Sequence, residues 1–341
     1  AVVGNKTVIC LVHHIAIDGW SMGLFKQQFE AEILGQTEYV ISEPYSSYVI
    51  WQNKQDYSRE KLYWKGQLED MSPNNTLPTD YKYNATDFAG QQMILDLNNL
   101  ESQEIKRIAK KYRVSVFNIF ISLFSILLYY CSKKNKIVIG TPVLNRRDKK
   151  FYNTIGFFAN TIPLIFNISS NEDVSCYIKN NSHIIAKALQ NQSLPYDKII
   201  KCLKYNINEK EQPLIQAMFN MESNALFNHN KSQYTELILP NDVNNIQFDL
   251  ICSVIEEKQR YTISLAYKKS LFKNETISIL KKTFYMIIKN VISINNQTID
   301  NLIDNTLYKA LEKLNSYENK ISFIIDQELH KNQVDSITIH M

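Results

Sequence analysis

The sequence has few of the features that assign a protein to a class at once. Its five cysteines are scattered through 341 residues without a paired spacing, which argues against a disulfide framework and indicates reduced thiols in a cytoplasmic protein. The first residues lack the basic run, apolar stretch and cleavage site of a secretory signal. Internal repeats are missing too. The net charge of +4, with 21% charged residues, is typical of an ordinary globular protein and does not indicate a nucleic-acid partner.

Apolar runs of full membrane-spanning length are also missing. The most apolar segment, residues 115–131, lies at the short end of that length and contains polar residues such as Asn118. We therefore predict a long helix over residues 101–131 that is buried in a core, and no membrane partner. A metal site is not predicted, because neither His183 nor His229 lies at a recognisable ligand spacing.

What the sequence does contain is ample material for a core, with 45% apolar and 11% aromatic residues. The length suggests two compact units, and strand-like and helix-like patterns recur in two successive groups, which predicts an α/β protein with two lobes. We assign residues 1–78 to the remainder of an N-terminal lobe, 79–292 to a C-terminal lobe and 293–341 to a linker or tail. Because the chain begins without Met and runs straight into a strand-like segment, we expect it to be a fragment.

Hydrophobic periodicity predicts the elements of each lobe. Strands are expected over residues 7–14, 90–97, 136–143, 161–168, 214–221, 234–239, 247–256 and 260–267. Helices are expected over residues 22–34, 45–68, 101–131, 174–189 and 276–292. Ser21 is the predicted N-cap of the first helix.

The strongest chemical signal is the segment HHIAIDGWS at residues 13–21. Adjacent strand residues point to opposite faces, so we expect one of His13 and His14 to be held by the interior and the other to face a cavity. A neutral imidazole near pH 7 is the usual group that takes a proton from an attacking amine or hydroxyl. Asp18 is placed to orient a histidine or pair with an arginine, and Gly19 lets the backbone turn where a side chain would obstruct.

Three interpretations of this segment are open from the residues alone. The first is a buried histidine pair next to a helix-capping turn, which is what an isolated pair usually is. The second is a metal site, which would need a third ligand. The third is acyl transfer, and the segments that follow decide in its favour.

Further segments recur downstream in a fixed order. They are YSSYVIWQ at residues 45–52, YWK and QL within 63–68, LPTD at 77–80, GTP with Arg146 at 140–146, IGFFANT at 155–161, QSLPYD at 192–197, QPLIQAMF at 212–219 and FDL at 248–250. Together with HHxxxDG they resemble, over residues 1 to about 290, the motifs of nonribosomal peptide synthetase condensation domains. These domains are a branch of the chloramphenicol acetyltransferase-like superfamily.

The resemblance implies a two-lobed chloramphenicol acetyltransferase-like α/β fold, each lobe a mixed sheet with helices, with an active-site tunnel between the lobes. It implies that His14 is catalytic and positions or deprotonates the amine of an acceptor as that amine attacks a donor thioester. Gly19 offers its backbone N–H to the developing oxyanion, and Asp18 holds the loop through an ion pair. The implied supporting residues are His13, Trp20 and Ser21, and the implied substrate-binding residues are Asn160, Gly156 and Ser193.

The resemblance also implies the partners. These are upstream and downstream carrier protein domains, whose phosphopantetheine arms deliver both substrates as thioesters, and an adjacent adenylation domain. Because a thioester already carries the driving force, neither ATP nor a metal nor another bound cofactor is expected at this site.

The chain departs from the family pattern at several positions. Ser47 and Ser193 each replace an acid, and residues 206–211 lack the arginines usual before the QPLIQAMF segment. By the resemblance, the arginine that pairs with Asp18 lies upstream of the histidine pair, outside this chain. We interpret the replacements as drift in a divergent lineage rather than as marks of an inactive copy.

Several rival functions share part of the pattern. Heterocyclisation domains carry aspartates in place of the two histidines, and epimerisation domains place Ser before Trp, the reverse of Trp20-Ser21. An acyltransferase of the same superfamily with an alcohol acceptor remains an alternative. Glycerolipid acyltransferases use HxxxxD, which would make His13 the catalytic residue with Asp18, but this explains none of the downstream segments. A non-enzymatic alternative is an inactive module that recruits a carrier protein.

Overall fold

The computed structural model describes most of the chain. The described residues are 2–3, 8–10, 12–33, 35, 42–69, 71, 77–81, 87–203, 214–223, 246–257, 259–293 and 297–313. They form a mixed sheet covered by helices, which confirms the predicted α/β class.

The N-terminal part combines a short strand pair with three helices. Its elements are β1 (Val2–Val3), β2 (Val8–Ile9), α1 (Gly19–Ile33), α2 (Tyr45–Asn53) and α3 (Ser58–Leu68). The two strands pair antiparallel. The strand predicted over residues 7–14 is therefore shorter than expected, because both histidines lie beyond it in the approach to α1.

A turn separates α2 from α3, where a single helix was predicted over residues 45–68. The Asp56 carboxylate accepts the backbone N–H of Ser58 at 3.0 Å and its hydroxyl at 2.6 Å. This local bond from an aspartate to the backbone two residues on closes a turn that competes with helix. Trp64 and Leu68 of α3 are buried in the main core.

The C-terminal part is built on a six-stranded sheet. Its strands are β3 (Gly90–Asp96), β4 (Lys136–Val143), β5 (Asn160–Asn167), β6 (Ala217–Ser223), β7 (Leu250–Glu257) and β8 (Arg260–Lys268). The order is β3-β8-β7-β6-β4-β5, with β6 parallel to both β4 and β7 and the other pairs antiparallel. All six lie close to their predicted positions, whereas the strand predicted over 234–239 falls outside the described residues.

Helices cover this sheet. They are α4 (Asn99–Tyr112), α5 (Val116–Ser132), α6 (Val174–Gln190), α7 (Tyr196–Ile200), α8 (Asn274–Ser293) and α9 over residues 305–313. The short α7 was not predicted. Helices α5, α6 and α8 supply much of the apolar core against the sheet.

The helix predicted over residues 101–131 is two helices, because the chain bends sharply at Arg113. This residue adopts the left-handed conformation (φ 57°), and the axes of α4 and α5 differ by 103°. Ser115 then caps α5 by accepting the N–H of Asn118 at 3.1 Å. Helix α5 is buried along most of its length, as predicted. Among the described helices, no single one is both long and apolar enough to cross a membrane.

The segment after α8 packs against the C-terminal part. Ile299, Leu302 and Leu311 are fully buried in its core, and the Tyr130 hydroxyl donates a hydrogen bond to the carbonyl of Ile299. The region predicted as a linker or tail from residue 293 thus supplies side chains to the core as far as Leu311. The lobe boundary at residue 78 stays a prediction.

Candidate active site

His14 lies in the turn that joins β2 to α1, and its ring is exposed. The Nδ1 atom is 2.8 Å from the carbonyl oxygen of Ile17. A carbonyl oxygen can only accept a hydrogen bond, so Nδ1 must carry the proton of a neutral imidazole. In that neutral tautomer Nε2 keeps the lone pair that can take a proton from a substrate.

His13 is held differently. Its Nδ1 accepts the backbone N–H of Ile15 at 3.1 Å, so the ring stabilises its own turn. The expectation that the interior holds one of the two histidines is wrong, since both His13 and His14 are exposed. The reason is that neither lies in a strand, so the alternation of strand faces does not apply to them.

Asp18 is buried at the start of α1, where it joins three segments of the chain. Its Oδ1 accepts the N–H of Ser21 at 2.8 Å, which makes Asp18 the N-cap of the helix. Its Oδ2 accepts the N–H groups of Phe158 and Ala159 at 2.9 and 3.2 Å. The prediction that Ser21 is the N-cap is therefore wrong, since Ser21 lies inside the first turn.

The arginine that pairs with Asp18 is Arg146, which follows β4. Its Nη2 lies 3.3 Å from Asp18 Oδ1, and the two side chains are only 3% and 2% exposed. The expectation of a partner upstream of the histidine pair is thus corrected. Burial lowers the pKa of Arg146, and the Asp18 carboxylate opposes this effect. The ion pair joins the start of α1 to the loop that follows β4, and the part that Asp18 plays in the reaction stays a prediction.

Arg146 also binds the loop that follows it. Its Nη1 donates to the carbonyls of Phe151 and Thr154 at 2.6 and 2.7 Å, and its guanidinium stacks 3.9 Å from the ring centre of Phe158. Its Nη2 donates to the Ser21 hydroxyl at 2.5 Å. One side chain therefore fixes residues 146–158 against the first turn of α1.

The backbone of Gly156 takes part in the same junction, by which we mean the contacts of Asp18, Ser21 and Arg146 that join α1 to residues 146–158. Its carbonyl accepts the N–H of Asp18 at 3.2 Å and the hydroxyl of Ser21 at 2.7 Å, and its own N–H donates to that hydroxyl at 3.0 Å. A Cβ at Gly156 would lie 2.2 Å from the ring of Tyr45, so only glycine fits. Contact of Gly156 with substrate stays a prediction.

Trp20, in the first turn of α1, also contacts the loop at residues 146–158. Its indole N–H donates to the carbonyl of Tyr152 at 2.9 Å, and the two rings meet edge to face at 6.4 Å. Trp20 and Ser21 thus both contact residues 146–158, and their supporting role in the reaction stays a prediction.

Gly19, the first residue of α1, is exposed. A Cβ built there would meet no atom of the described residues within 4 Å, and Gly19 is not among the described glycines with positive φ. The expectation that a side chain would obstruct the turn is therefore wrong. The open space next to a helix N-terminal backbone, whose first N–H groups have no partner within the helix, suits the close approach of a ligand.

Asn160 and Ser193 are occupied by contacts within the protein. The Asn160 amide donates to the carbonyls of Gln192 and Leu194, both at 2.8 Å, and accepts the N–H of Tyr196 at 3.1 Å. These side-chain hydrogen bonds of Asn160 tie residues 192–196 to β5. The Ser193 hydroxyl donates to Glu60 of α3 at 3.2 Å and accepts from Arg147. Substrate contact by either residue stays a prediction.

The geometry can be compared with known proteins. The condensation domain family matches residues 4–311. This chain belongs to the condensation domain family. Bacitracin synthase 1 of Bacillus licheniformis is 24% identical over 82% of the chain, and surfactin synthase subunit 1 of Bacillus subtilis (strain 168) is 25% identical over 85%. The chain spans only 5% and 8% of these two synthases.

Solved structures show the same fold. A four-domain nonribosomal peptide synthetase in its holo form, bound to AMP and glycine, superposes with a TM-score of 0.74 at 18% identity, covering 85% of this condensation domain and 24% of that chain. The condensation domain of the Monacolin K polyketide synthase superposes with a TM-score of 0.72 at 15% identity, covering 84% and 70%.

The condensation domain also contains site residues that the sequence interpretation missed. The ring of Phe157 meets the His14 ring edge to face, with centroids 5.5 Å apart. Tyr45 donates its hydroxyl to the Phe157 carbonyl at 2.5 Å, and burial, with Asp18 nearby, raises the pKa of Tyr45 so that this donor stays protonated. The aromatic residues within the YSSYVIWQ and IGFFANT segments were a signal for this contact.

Within the ranges that the structure describes, no group of three metal-ligating side chains comes together.

Proposed function

We propose that this condensation domain forms an amide bond between a donor acyl or peptidyl thioester and the amine of an acceptor aminoacyl thioester. Both substrates would be carried on phosphopantetheine arms of partner carrier domains in nonribosomal peptide biosynthesis. The observation that supports this proposal best is the hydrogen bond of His14 Nδ1 to the Ile17 carbonyl, which leaves Nε2 of this exposed residue with a lone pair.

The proposed reaction uses the lone pair of His14 Nε2. The acceptor nitrogen attacks the thioester carbon, and Nε2 of His14 accepts a proton from the nitrogen as the C–N bond forms. The tetrahedral oxyanion lies next to the backbone N–H of Gly19 at the helix N-terminus. The C–S bond then breaks, and the donor arm leaves as a thiolate that takes up the proton.

Much of the acceleration would come from holding the two tethered substrates together, an effect worth up to roughly 7 to 11 kcal/mol. Positioning requires a rigid frame. The junction of Asp18, Arg146 and Gly156 supplies it by fixing the His14 turn and α1 against the loop at residues 146–158.

The proposal is tested by mixing the full chain with an acyl-loaded donor carrier and an aminoacyl-loaded acceptor carrier. Intact-protein mass spectrometry should show the acceptor carrier gaining the mass of the acyl group while the donor carrier returns to its free thiol form. Product on a hydroxyacyl-loaded acceptor alone would instead favour the alcohol-dependent alternative. Carrier binding without product on either acceptor would favour the recruitment module.

Gly19→Ala separates a structural role of this glycine from a role towards substrate. Because a Cβ meets nothing within 4 Å, we expect the free energy of unfolding to change by no more than about 1 kcal/mol. The Cβ would enter the space that the oxyanion needs, and misplacement of about 1 Å can cost on the order of 10²-fold in rate. Urea unfolding and the carrier assay measure the two effects. Unchanged turnover would remove Gly19 from the site.

A further inference from the structure

The side chain of Phe157 lies beside the proposed catalytic base. Phe157 is 37% exposed, whereas its neighbour Phe158 is buried in the aromatic cluster with Tyr48 and Phe151. The planes of the Phe157 and His14 rings are inclined at 85°. A large apolar side chain left half open next to a reacting group forms a wall of the space that a substrate enters.

The backbone that carries this ring is fixed on both sides. The Phe157 carbonyl accepts the Tyr45 hydroxyl, Gly156 is bonded to Ser21, and the next N–H donates to Asp18 Oδ2. These partners come from α1, α2 and the turn before α1. The position of the Cα of Phe157 relative to His14 is therefore set by the same contacts that hold the His14 turn.

Of the two substrates, the acceptor is the one that would contact the Phe157 ring. In the proposed reaction the acceptor nitrogen is hydrogen-bonded to the imidazole of His14, and the side chain of the acceptor starts two bonds from that nitrogen. Because the two ring centres are 5.5 Å apart, a substituent at this place lies within reach of the Phe157 ring. The contact between the acceptor's side chain and the Phe157 ring is apolar, and it depends on the size of that side chain.

We propose that Phe157 is a specificity-determining residue that limits the size of the acceptor's side chain. This inference rests on the proposed amide-forming function and adds to it a preference for small acceptors. The expected size of this preference follows from apolar pockets in general. In such pockets, two substrates that differ by one methylene group differ in rate by about 10- to 200-fold.

The test compares acceptor carriers loaded with glycine, alanine, valine, leucine or phenylalanine, assayed with one donor carrier and the full chain. Phe157→Ala should raise the rate with leucine or phenylalanine relative to glycine by about tenfold or more. Phe157→Trp should shift the preference the opposite way. Leu144→Ala is the matched control, since Leu144 is also an exposed apolar residue that follows β4 and should leave the order of acceptors unchanged.

The outcomes separate this inference from the function on which it rests. If the wild type forms no product with any acceptor, the amide-forming proposal fails. If the wild type is active but Phe157→Ala and Phe157→Trp change all five rates by the same factor, Phe157 only positions the loop and the specificity proposal is wrong. Thermal unfolding of each variant shows that the rates belong to folded protein.

Discussion

Replacing His14 by alanine is expected to lower the rate of amide formation by about 10² to 10⁴-fold, the usual contribution of a positioned proton-transfer group. The ring is exposed and its hydrogen bond is to Ile17 in the same turn, so its removal should leave the stability of the fold almost unchanged. The measurement is the mass of the acceptor carrier over time, with thermal unfolding of the same preparation.

His13→Ala is the matched control, because His13 has the same chemistry, lies next in sequence, and its ring accepts the N–H of Ile15 in the same turn. We expect it to keep most of the activity. A loss mainly through His13 would contradict the assignment and favour the HxxxxD alternative. Against that alternative, the Asp18 carboxylate already binds Ser21, Phe158, Ala159 and Arg146, which are the groups it contacts in the part of the chain that the structure describes.

Breaking the pair between Asp18 and Arg146 should have the largest effect on stability. Each of the variants Asp18→Ala and Arg146→Met leaves a buried group without its partner, and removing one member of a buried ion pair costs about 3 to 5 kcal/mol. Asp18→Ala also leaves the N–H groups of Phe158 and Ala159 unsatisfied. The free energy of unfolding in urea measures both.

The double variant gives the internal check. Because it leaves neither charge alone, its cost should be smaller than the sum of the two single costs, and additivity would mean that the two groups do not interact. The exposed pair between Glu104 and Arg107 is a second control, for which Glu104→Gln should cost less than about 1 kcal/mol.

Local patterns were sufficient to predict the sheet. Strands β4 to β8 contain apolar residues that are buried in the core, and β3 alternates in character along its length, so their positions follow from composition and periodicity. The burial of α5 followed for the same reason. The break at residues 113–115 was missed although Ser115 is a cap residue, because the apolar pattern continues across it and suggested one helix.

The site was predicted less completely, because its geometry depends on contacts between distant segments. Asp18 and Arg146 are 128 residues apart, and nothing in the spacing of either motif states that they pair. The exposure of His13 and the open space at Gly19 also depend on where β2 ends and α1 begins. Element boundaries of this kind are set by packing and capping rather than by propensity.

The junction at Arg146 constrains how condensation domains can be recombined with one another. Asp18 and Ser21 lie more than 120 residues before Arg146 and Gly156 in the sequence, yet all four meet in a single hydrogen-bonded network. A crossover between residues 21 and 146 would bring together segments that had never been selected to fit each other. Hybrid domains should therefore tolerate fusion points outside this interval, where both parts of the network are inherited together.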